Sequence, residues 1–239
     1  KLAVEPTLKM YLLSLVSMDM INSKDEIKEF FASTLYAHQY QDLDGLNHNL
    51  FRVLNVLKEY KFIDQEDDYY RATPLGKKVS ELYLNPDTAD YFYSNIEKFF
   101  TRFSKNTITK TDEFDLINFI VNTVEMKPYF RVSKYEEDAY VSKLEDVGDD
   151  LSVTFNPFEK DYHEFVNTIK TTEVFMDWIN EAPEDYVSEK YKITPGELNY
   201  KNETIDWLLY CLEEISIMKK NYFFKNYLNR MRIRFKGGI

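Results

Sequence analysis

The sequence predicts a mainly α protein in two domains, with three helices and a β-hairpin over residues 1–86 and a helical bundle over residues 87–239. Apolar residues recur at three- and four-residue spacing along most of the chain, which is the period of amphipathic helices. The 239 residues include only 6 Gly and 7 Pro, which favours long helices over a turn-rich β-sandwich. With 44% apolar residues, the chain is predicted to build a substantial core rather than to be mainly disordered.

The first domain has the predicted order helix, helix, helix, hairpin. A periodic apolar face runs from Glu5 to about Met20, and Ser23 with Glu26 forms a capping box that opens a second helix reaching Leu35. A third helix begins at Asp44 or Gly45, and two short apolar strands around an acidic turn then predict a hairpin: Phe62–Ile63, Asp64–Asp68 and Tyr69–Ala72. Three helices followed by a hairpin is the pattern of a winged helix, one form of helix-turn-helix.

This winged helix lacks the features expected of a domain that reads DNA bases. Its third helix is only modestly basic, and the tip of the hairpin carries four acidic residues that would repel phosphates: Asp64, Glu66, Asp67 and Asp68. We therefore predict that the domain is structural or docks protein.

The second domain is predicted to be an array of helices. Pro74 begins a short helix that ends at Asn85–Pro86, and this end marks the domain boundary. The helices predicted beyond it are Asp87–Phe103 with Asp87 as N-cap, Asp112–Val124, Ser133–Val147, Glu159–Ile179, Pro183–Tyr191, Thr194–Met218 and Asn221–Arg234.

The helix opened by Thr194 is the most clearly marked of these elements. Thr194 is the predicted N-cap, and Glu197 completes a capping box. At about 100° per residue, its apolar stripe contains Leu198, Ile205, Leu208, Leu209, Leu212 and Ile215. Trp207 lies about 140° from the centre of that stripe, near Tyr200 and on the side of Glu203. A tryptophan there needs a partner, either another helix or an unstacked base.

Charge is distributed unevenly along the chain. The net charge is −11, yet residues 219–239 contain seven basic residues and no acid: Lys219, Lys220, Lys225, Arg230, Arg232, Arg234 and Lys236. This terminal run is the only strong electrostatic footprint for phosphate in the sequence.

The sequence contains no motif of a catalytic or metal site. It lacks the G-x-x-x-x-G-K-[ST] loop, the G-x-G-x-x-G turn and the G-x-S-x-G elbow, and its three histidines are far apart. We predict no catalytic residue and no metal ligand. The single cysteine, Cys211, and Trp178 are both predicted to pack in the core. One cysteine fits a reducing compartment, and the longest apolar runs are too short to span a bilayer.

Several short segments, in this order, resemble archaeal superfamily-two DNA repair helicases, which are relatives of the polymerase-theta helicase. Residues 73–86 resemble the end of that family's winged-helix domain. The marks of its helical ratchet domain are matched by Met176–Glu181, Glu189–Ile193, Pro195–Leu198, Glu203–Leu208 (similar to the E-T-x-x-W-L of its central helix) and Arg230–Arg234. Their order and spacing across nearly the whole chain make the resemblance fairly specific.

The resemblance implies a piece of a longer, ATP-dependent 3′–5′ DNA helicase whose motor domains are not part of this sequence. No cofactor is expected here, while ATP and magnesium are expected for the motor domains. In the family, the central helix crosses the translocating single strand, which assigns base stacking to Trp207. The family places an arginine where this chain has Tyr200, whose ring could stack but whose hydroxyl cannot hold phosphate as a guanidinium does.

The other roles implied are nucleic-acid contact by Glu203, within the matched motif, and steering of the strand by Arg230, Arg232 and Arg234. Single-stranded or forked DNA and the motor domains are the expected partners, and we expect a cytoplasmic, nucleoid-associated monomer with no membrane association. Two alternatives remain open at this point: a winged-helix transcriptional regulator with a helical dimerisation domain, and an interaction module of an RNA helicase.

Overall fold

The computed structural model describes residues 4–33, 43–104, 107–153 and 162–237, and within them the predicted mainly α architecture is confirmed. The chain divides into two compact units, Lys1–Tyr93 and Ser94–Ile239, whereas the sequence placed the boundary at residue 86. The predicted helix end at Leu35 and helix start at Glu159 lie outside the described residues. No helix in the described ranges has the length and apolar character needed to cross a membrane.

The first unit has the predicted order of three helices and a hairpin, followed by two further helices. Its elements are α1 (Val4–Ser17), α2 (Lys24–Ala32), α3 (Leu43–Glu59), β1 (Ile63–Glu66), β2 (Tyr69–Ala72), α4 (Pro74–Glu81) and α5 (Pro86–Asn95). The capping box at Ser23 is confirmed, since the Ser23 hydroxyl accepts from the Glu26 N–H and the Glu26 carboxylate accepts from the Ser23 N–H. The core of this unit forms where the apolar faces of α1 and α3 pack, around Leu12, Val16, Leu50, Val53 and Leu57.

The hairpin is short and antiparallel. Ile63 pairs with Ala72 and Glu66 with Tyr69, and Tyr70 turns its ring into the core. The hairpin is anchored beside the start of α2, because the Tyr70 N–H donates to the Asn22 carbonyl at 2.7 Å. The acidic residues at its tip are exposed, as the sequence predicts, which leaves this edge unsuited to phosphate.

The predicted single helix from Asp87 to Phe103 is two helices. One ends at Asn95, and the next, α6 (Glu97–Phe103), begins after Ile96. The prediction of Asp87 as N-cap is also wrong, because the Asp87 N–H donates to the Asn85 side chain and the helix begins at Pro86. The Asp87 carboxylate instead accepts from Lys9 Nζ at 2.6 Å and from the Tyr60 hydroxyl at 2.9 Å, so within the first unit it ties the start of α5 to α1 and to the residue that follows α3.

All regular secondary structure in the described residues of the second unit is helical. After α6 come α7 (Lys110–Val121), α8 (Glu137–Val147), α9 (Tyr162–Ile179), α10 (Glu184–Tyr191), α11 (Pro195–Met218) and α12 (Tyr222–Gly237), with short 3-10 turns at Val124–Met126 and Gly148–Asp150. Helix α7 starts two residues before the predicted Asp112, because Thr109 is the N-cap and Asp112 completes its capping box. Helix α8 starts later than the predicted Ser133, since Ser133 and Glu136 form a hydrogen-bonded turn ahead of it.

Aromatic and polar contacts hold the bundle together. A cluster of rings joins α6, α7 and α12: Phe99, Phe103, Phe119, Phe224 and Tyr227, with centroids 4.5 to 6.5 Å apart. Buried Asn118 of α7 donates to the hydroxyls of Thr168 and Thr172 on α9, which pairs polar groups that would otherwise be costly to bury. Helices α11 and α12 form an antiparallel pair, and α11 is the scaffold of the site below.

Candidate nucleic-acid interface

Helix α11 begins as the sequence predicts. The Thr194 hydroxyl accepts from the Glu197 N–H at 3.3 Å, and the Glu197 carboxylate accepts from the Thr194 N–H at 2.9 Å. These hydrogen bonds, from the backbone first, lower the pKa of Glu197. Pro195 occupies the first turn, where its missing N–H costs nothing. Because both hydrogen bonds of the capping box are formed, the N-terminal turn of α11 is stabilised.

The predicted core stripe of α11 is fully buried, from Leu198 to Ile215. Trp207 lies off this stripe and is half-buried, while Tyr200, two turns earlier on a similar azimuth, is 61% exposed. The other tryptophan, Trp178, packs against a buried cluster and donates its indole N–H to the Phe235 carbonyl at 3.0 Å, which confirms its predicted core role. Of the two tryptophans, Trp207 is therefore the one placed to meet a ligand.

The residues next to Trp207 on α11 offer no cation and no reactive group to a ligand. Glu203 is exposed one turn before Trp207, and its carboxylate would repel a phosphate rather than hold one. Cys211 is fully buried, and burial raises the pKa of its thiol to about 12. The thiol stays protonated at neutral pH and packs as an apolar group, as the sequence predicts.

The three arginines singled out from the sequence lie in different environments. Arg232 is held between α11 and α12, with Nε 2.9 Å from Asp206 and Nη1 3.1 Å from the buried Glu213. Arg234 pairs with Glu113 of α7. Arg230 is exposed, forms no ion pair within the described ranges and lies over the Tyr227 ring at 5.7 Å. Arg230 alone of the three is ready to meet a phosphate, because the other two would first have to leave a carboxylate.

A groove beside Tyr200 was not predicted from the sequence. It encloses about 510 Å³ and is lined by residues from four separate segments, chiefly Tyr129, Arg131, Lys170, Lys192, Tyr200 and Lys201. Lys170 and Lys201 are buried to within a few per cent, although both carry charged side chains on helices. The sequence signal that pointed to them was weak: each is a lysine at an otherwise apolar position of its helix, next to Ile169 and one turn before Ile205.

The comparison with known families rests on the second unit. Residues 114–238, more than half of the 239-residue chain, match the family described as Archaeal helicase, domain 4. The chain belongs to this archaeal helicase family. The resemblance drawn from the ordered motifs is thereby confirmed.

Similar proteins carry the name ATP-dependent DNA helicase Hel308. The one from Methanocaldococcus jannaschii is 32% identical over 216 residues, which cover 90% of this chain and 16% of the relative. Those from Pyrococcus abyssi and Thermococcus kodakarensis are 30% and 28% identical, with all of this chain covered and 32% and 21% of the relatives. This archaeal helicase chain thus spans between about a sixth and a third of the length of these relatives.

The ion pair between Glu136 and the buried Lys170, both of which line the groove, makes the stability of the fold depend on pH. Burial alone would raise the pKa of Glu136, but hydrogen bonds from Ser133 and Lys170 outweigh burial and lower the pKa from 4.5 to about 2. The carboxylate therefore stabilises the fold above pH 4.5, and this contribution disappears as the pH falls towards 2. We expect Glu136→Gln to lower the free energy of unfolding by roughly 2 kcal/mol at pH 7. Urea unfolding at pH 7 and pH 3 checks this, and a difference that did not shrink at pH 3 would contradict it.

Proposed function

We propose that this chain contacts the translocating single strand of an ATP-dependent 3′–5′ DNA helicase, with Trp207 stacking on an unpaired base. One observation carries the proposal: Trp207 is half-buried and lies off the core stripe of α11, in a chain that belongs to an archaeal helicase family. ATP hydrolysis, magnesium binding and forked-DNA recognition are proposed for the whole protein, whose motor domains would supply the force.

Half-burial suits an indole that acts as a stacking platform. The buried part of the ring fixes its orientation, so little rotamer entropy is lost when a base docks on the part that remains exposed. Stacking is worth about 1–3 kcal/mol per base and is tolerant of sequence, because every base has a π-face. Trp207 could therefore resist back-slippage of the strand between motor cycles without selecting particular bases.

Charge limits the affinity that the isolated chain can have. The net charge of −11 and the exposed Glu203 oppose a polyanion, and only part of the C-terminal basic run is free of internal ion pairs. Arg230 is the residue of that run proposed to contact the backbone. We therefore propose that stacking provides the main part of binding and that cations position the strand.

Replacing Trp207 by alanine tests the proposal. We expect Trp207→Ala to weaken binding of an oligodeoxythymidylate by about 5- to 150-fold, which corresponds to the loss of one stacked base. Trp207→Phe should retain most of the affinity because it keeps an aromatic face. Fluorescence anisotropy across a salt series measures the effect, and circular dichroism confirms that each variant is folded.

The matched control is Tyr186→Ala, which removes an exposed aromatic ring from the same unit but from a different helix, α10. This variant should bind single strands as the parent chain does. Equal affinities for Trp207→Ala and the parent chain, or a preference of the parent chain for duplex over single strands, would show that Trp207 is not a stacking platform.

A further inference from the structure

We propose that the groove beside Tyr200 holds one phosphodiester of the single strand, with Arg131, Lys192 and Lys201 as its cationic ligands; this inference rests on the proposed function. Cations outnumber carboxylates around this groove. Four cationic side chains line it, Arg131, Lys170, Lys192 and Lys201, against the two carboxylates of Glu136 and Glu197. In a chain of net charge −11, this is a local reversal of sign.

Both carboxylates of the groove are already engaged by the fold. Glu197 accepts from the N–H and hydroxyl of Thr194 at 2.9 and 2.7 Å. Glu136 accepts from the Ser133 hydroxyl at 2.6 Å and from Lys170 Nζ at 3.0 Å. Lys170 is thereby neutralised, but Arg131, Lys192 and Lys201 are left with no carboxylate of the described residues as partner.

Lys201 is a buried cation that has no carboxylate partner among the described residues. It is 4% exposed and its ammonium donates to the Met126 carbonyl, whereas an ammonium group has three donors. Burial lowers its pKa, which shows that its charge is poorly compensated in the fold. A buried charge is costly unless it is paired, and an anion in the adjoining groove would provide that pairing.

Arg131 and Lys192 are exposed at the groove and complete the set. A planar guanidinium and two ammonium groups offer the donors that phosphate oxygens accept.

Tyr200 connects this groove with Trp207. Its exposed ring lines the groove, with Lys201 Nζ 5.9 Å from the ring centre, and it lies about 10 Å along α11 from Trp207 on a similar azimuth. A strand whose base stacks on Trp207 can thus place a neighbouring phosphate against the cations near Tyr200.

The test uses Lys192→Gly in the 239-residue chain. Lys192 ends α10 in the left-handed conformation, with φ at 55°, which glycine adopts more readily than lysine. The variant should keep or raise the melting temperature while it removes a cation. We expect the slope of log Kobs for an oligodeoxythymidylate against log salt to decrease in magnitude by about 0.7, and by about 1.4 when Arg131→Ala is added.

Lys61→Gly is the matched control, because Lys61 is also an exposed lysine at positive φ, 59°, but belongs to the first unit. An equal change of slope in Lys61→Gly and Lys192→Gly would overturn the proposal, as would an unchanged slope in Lys192→Gly. If Trp207→Ala weakens binding while Lys192→Gly does not, the groove proposal fails and the stacking proposal stands. A titration with inorganic phosphate distinguishes a site for free phosphate from a site for the phosphate of a strand. If the groove binds inorganic phosphate but Lys192→Gly leaves strand binding unchanged, the groove is not a strand site.

Discussion

Replacing Gly76 by alanine is expected to lower the free energy of unfolding of the first unit by about 3 kcal/mol or more. A β-carbon at Gly76 would lie 1.9 Å from the carbonyl oxygen of Phe62 and 2.7 Å from its carbonyl carbon. Both are backbone atoms of the segment that leads into β1, so no flexible side chain can move aside. The close approach is fixed by Thr73, whose N–H donates to the same Phe62 carbonyl and whose hydroxyl donates to the Lys61 carbonyl.

Thermal unfolding by circular dichroism and hydrogen exchange at the Thr73 amide measure the effect of Gly76→Ala. The matched control is Gly196→Ala in the first turn of α11, where an added β-carbon has no neighbour within 4 Å. This second substitution should be neutral or stabilise by up to about 1 kcal/mol, because alanine is the better helix former. Similar unfolding midpoints for the two variants would mean that α4 can move away from Phe62 at little cost.

The need for glycine at position 76 shows what the sequence could and could not predict. Residues 73–86 resemble a family segment, and Pro74 marks a helix start, but the reason for Gly76 lies in a backbone 14 positions earlier. Capping boxes, in contrast, can be predicted from the sequence, because their two partners are only three residues apart. Those at Ser23 and Thr194 were predicted correctly, whereas the capping box of α7 was not predicted: the helix was placed from Asp112, which is its third residue, and Thr109 is the cap.

The candidate site also has one part that could be predicted from the sequence and one part that could not. The position of Trp207 off the core stripe follows from helix geometry alone, and the structure places it there. The groove beside Tyr200 is assembled from segments up to about 70 residues apart, so local patterns gave only a weak signal, the two lysines at apolar helix positions. The C-terminal basic run contains no acid of its own, which concealed that Asp206, Glu213 and Glu113 neutralise two of its arginines from other helices.

Removing the Arg232 guanidinium is expected to lower the free energy of unfolding of the second unit by about 3 kcal/mol, because a buried carboxylate loses its main partner. Glu213 has a side chain only 5% exposed, and without Arg232 it keeps Lys225 at 3.8 Å and Asn229 at 3.5 Å. Asp206 would lose the contact at 2.9 Å that ties α11 to α12. Urea unfolding of Arg232→Met, followed by tryptophan fluorescence, measures this loss.

Arg230→Met is the matched control, two residues away on the same helix but exposed and free of ion pairs within the described ranges. It should change stability by less than about 0.5 kcal/mol, yet reduce the magnitude of the salt slope for single-strand binding by about 0.7. Arg232→Met should lower stability and, under conditions where it remains folded, leave the salt slope unchanged. Adding Glu213→Gln should restore part of the stability, because it removes the unpaired carboxylate. A stable Arg232→Met variant with a reduced salt slope would instead place Arg232 on the strand, since a guanidinium that leaves its carboxylates at no cost is free to meet a phosphate.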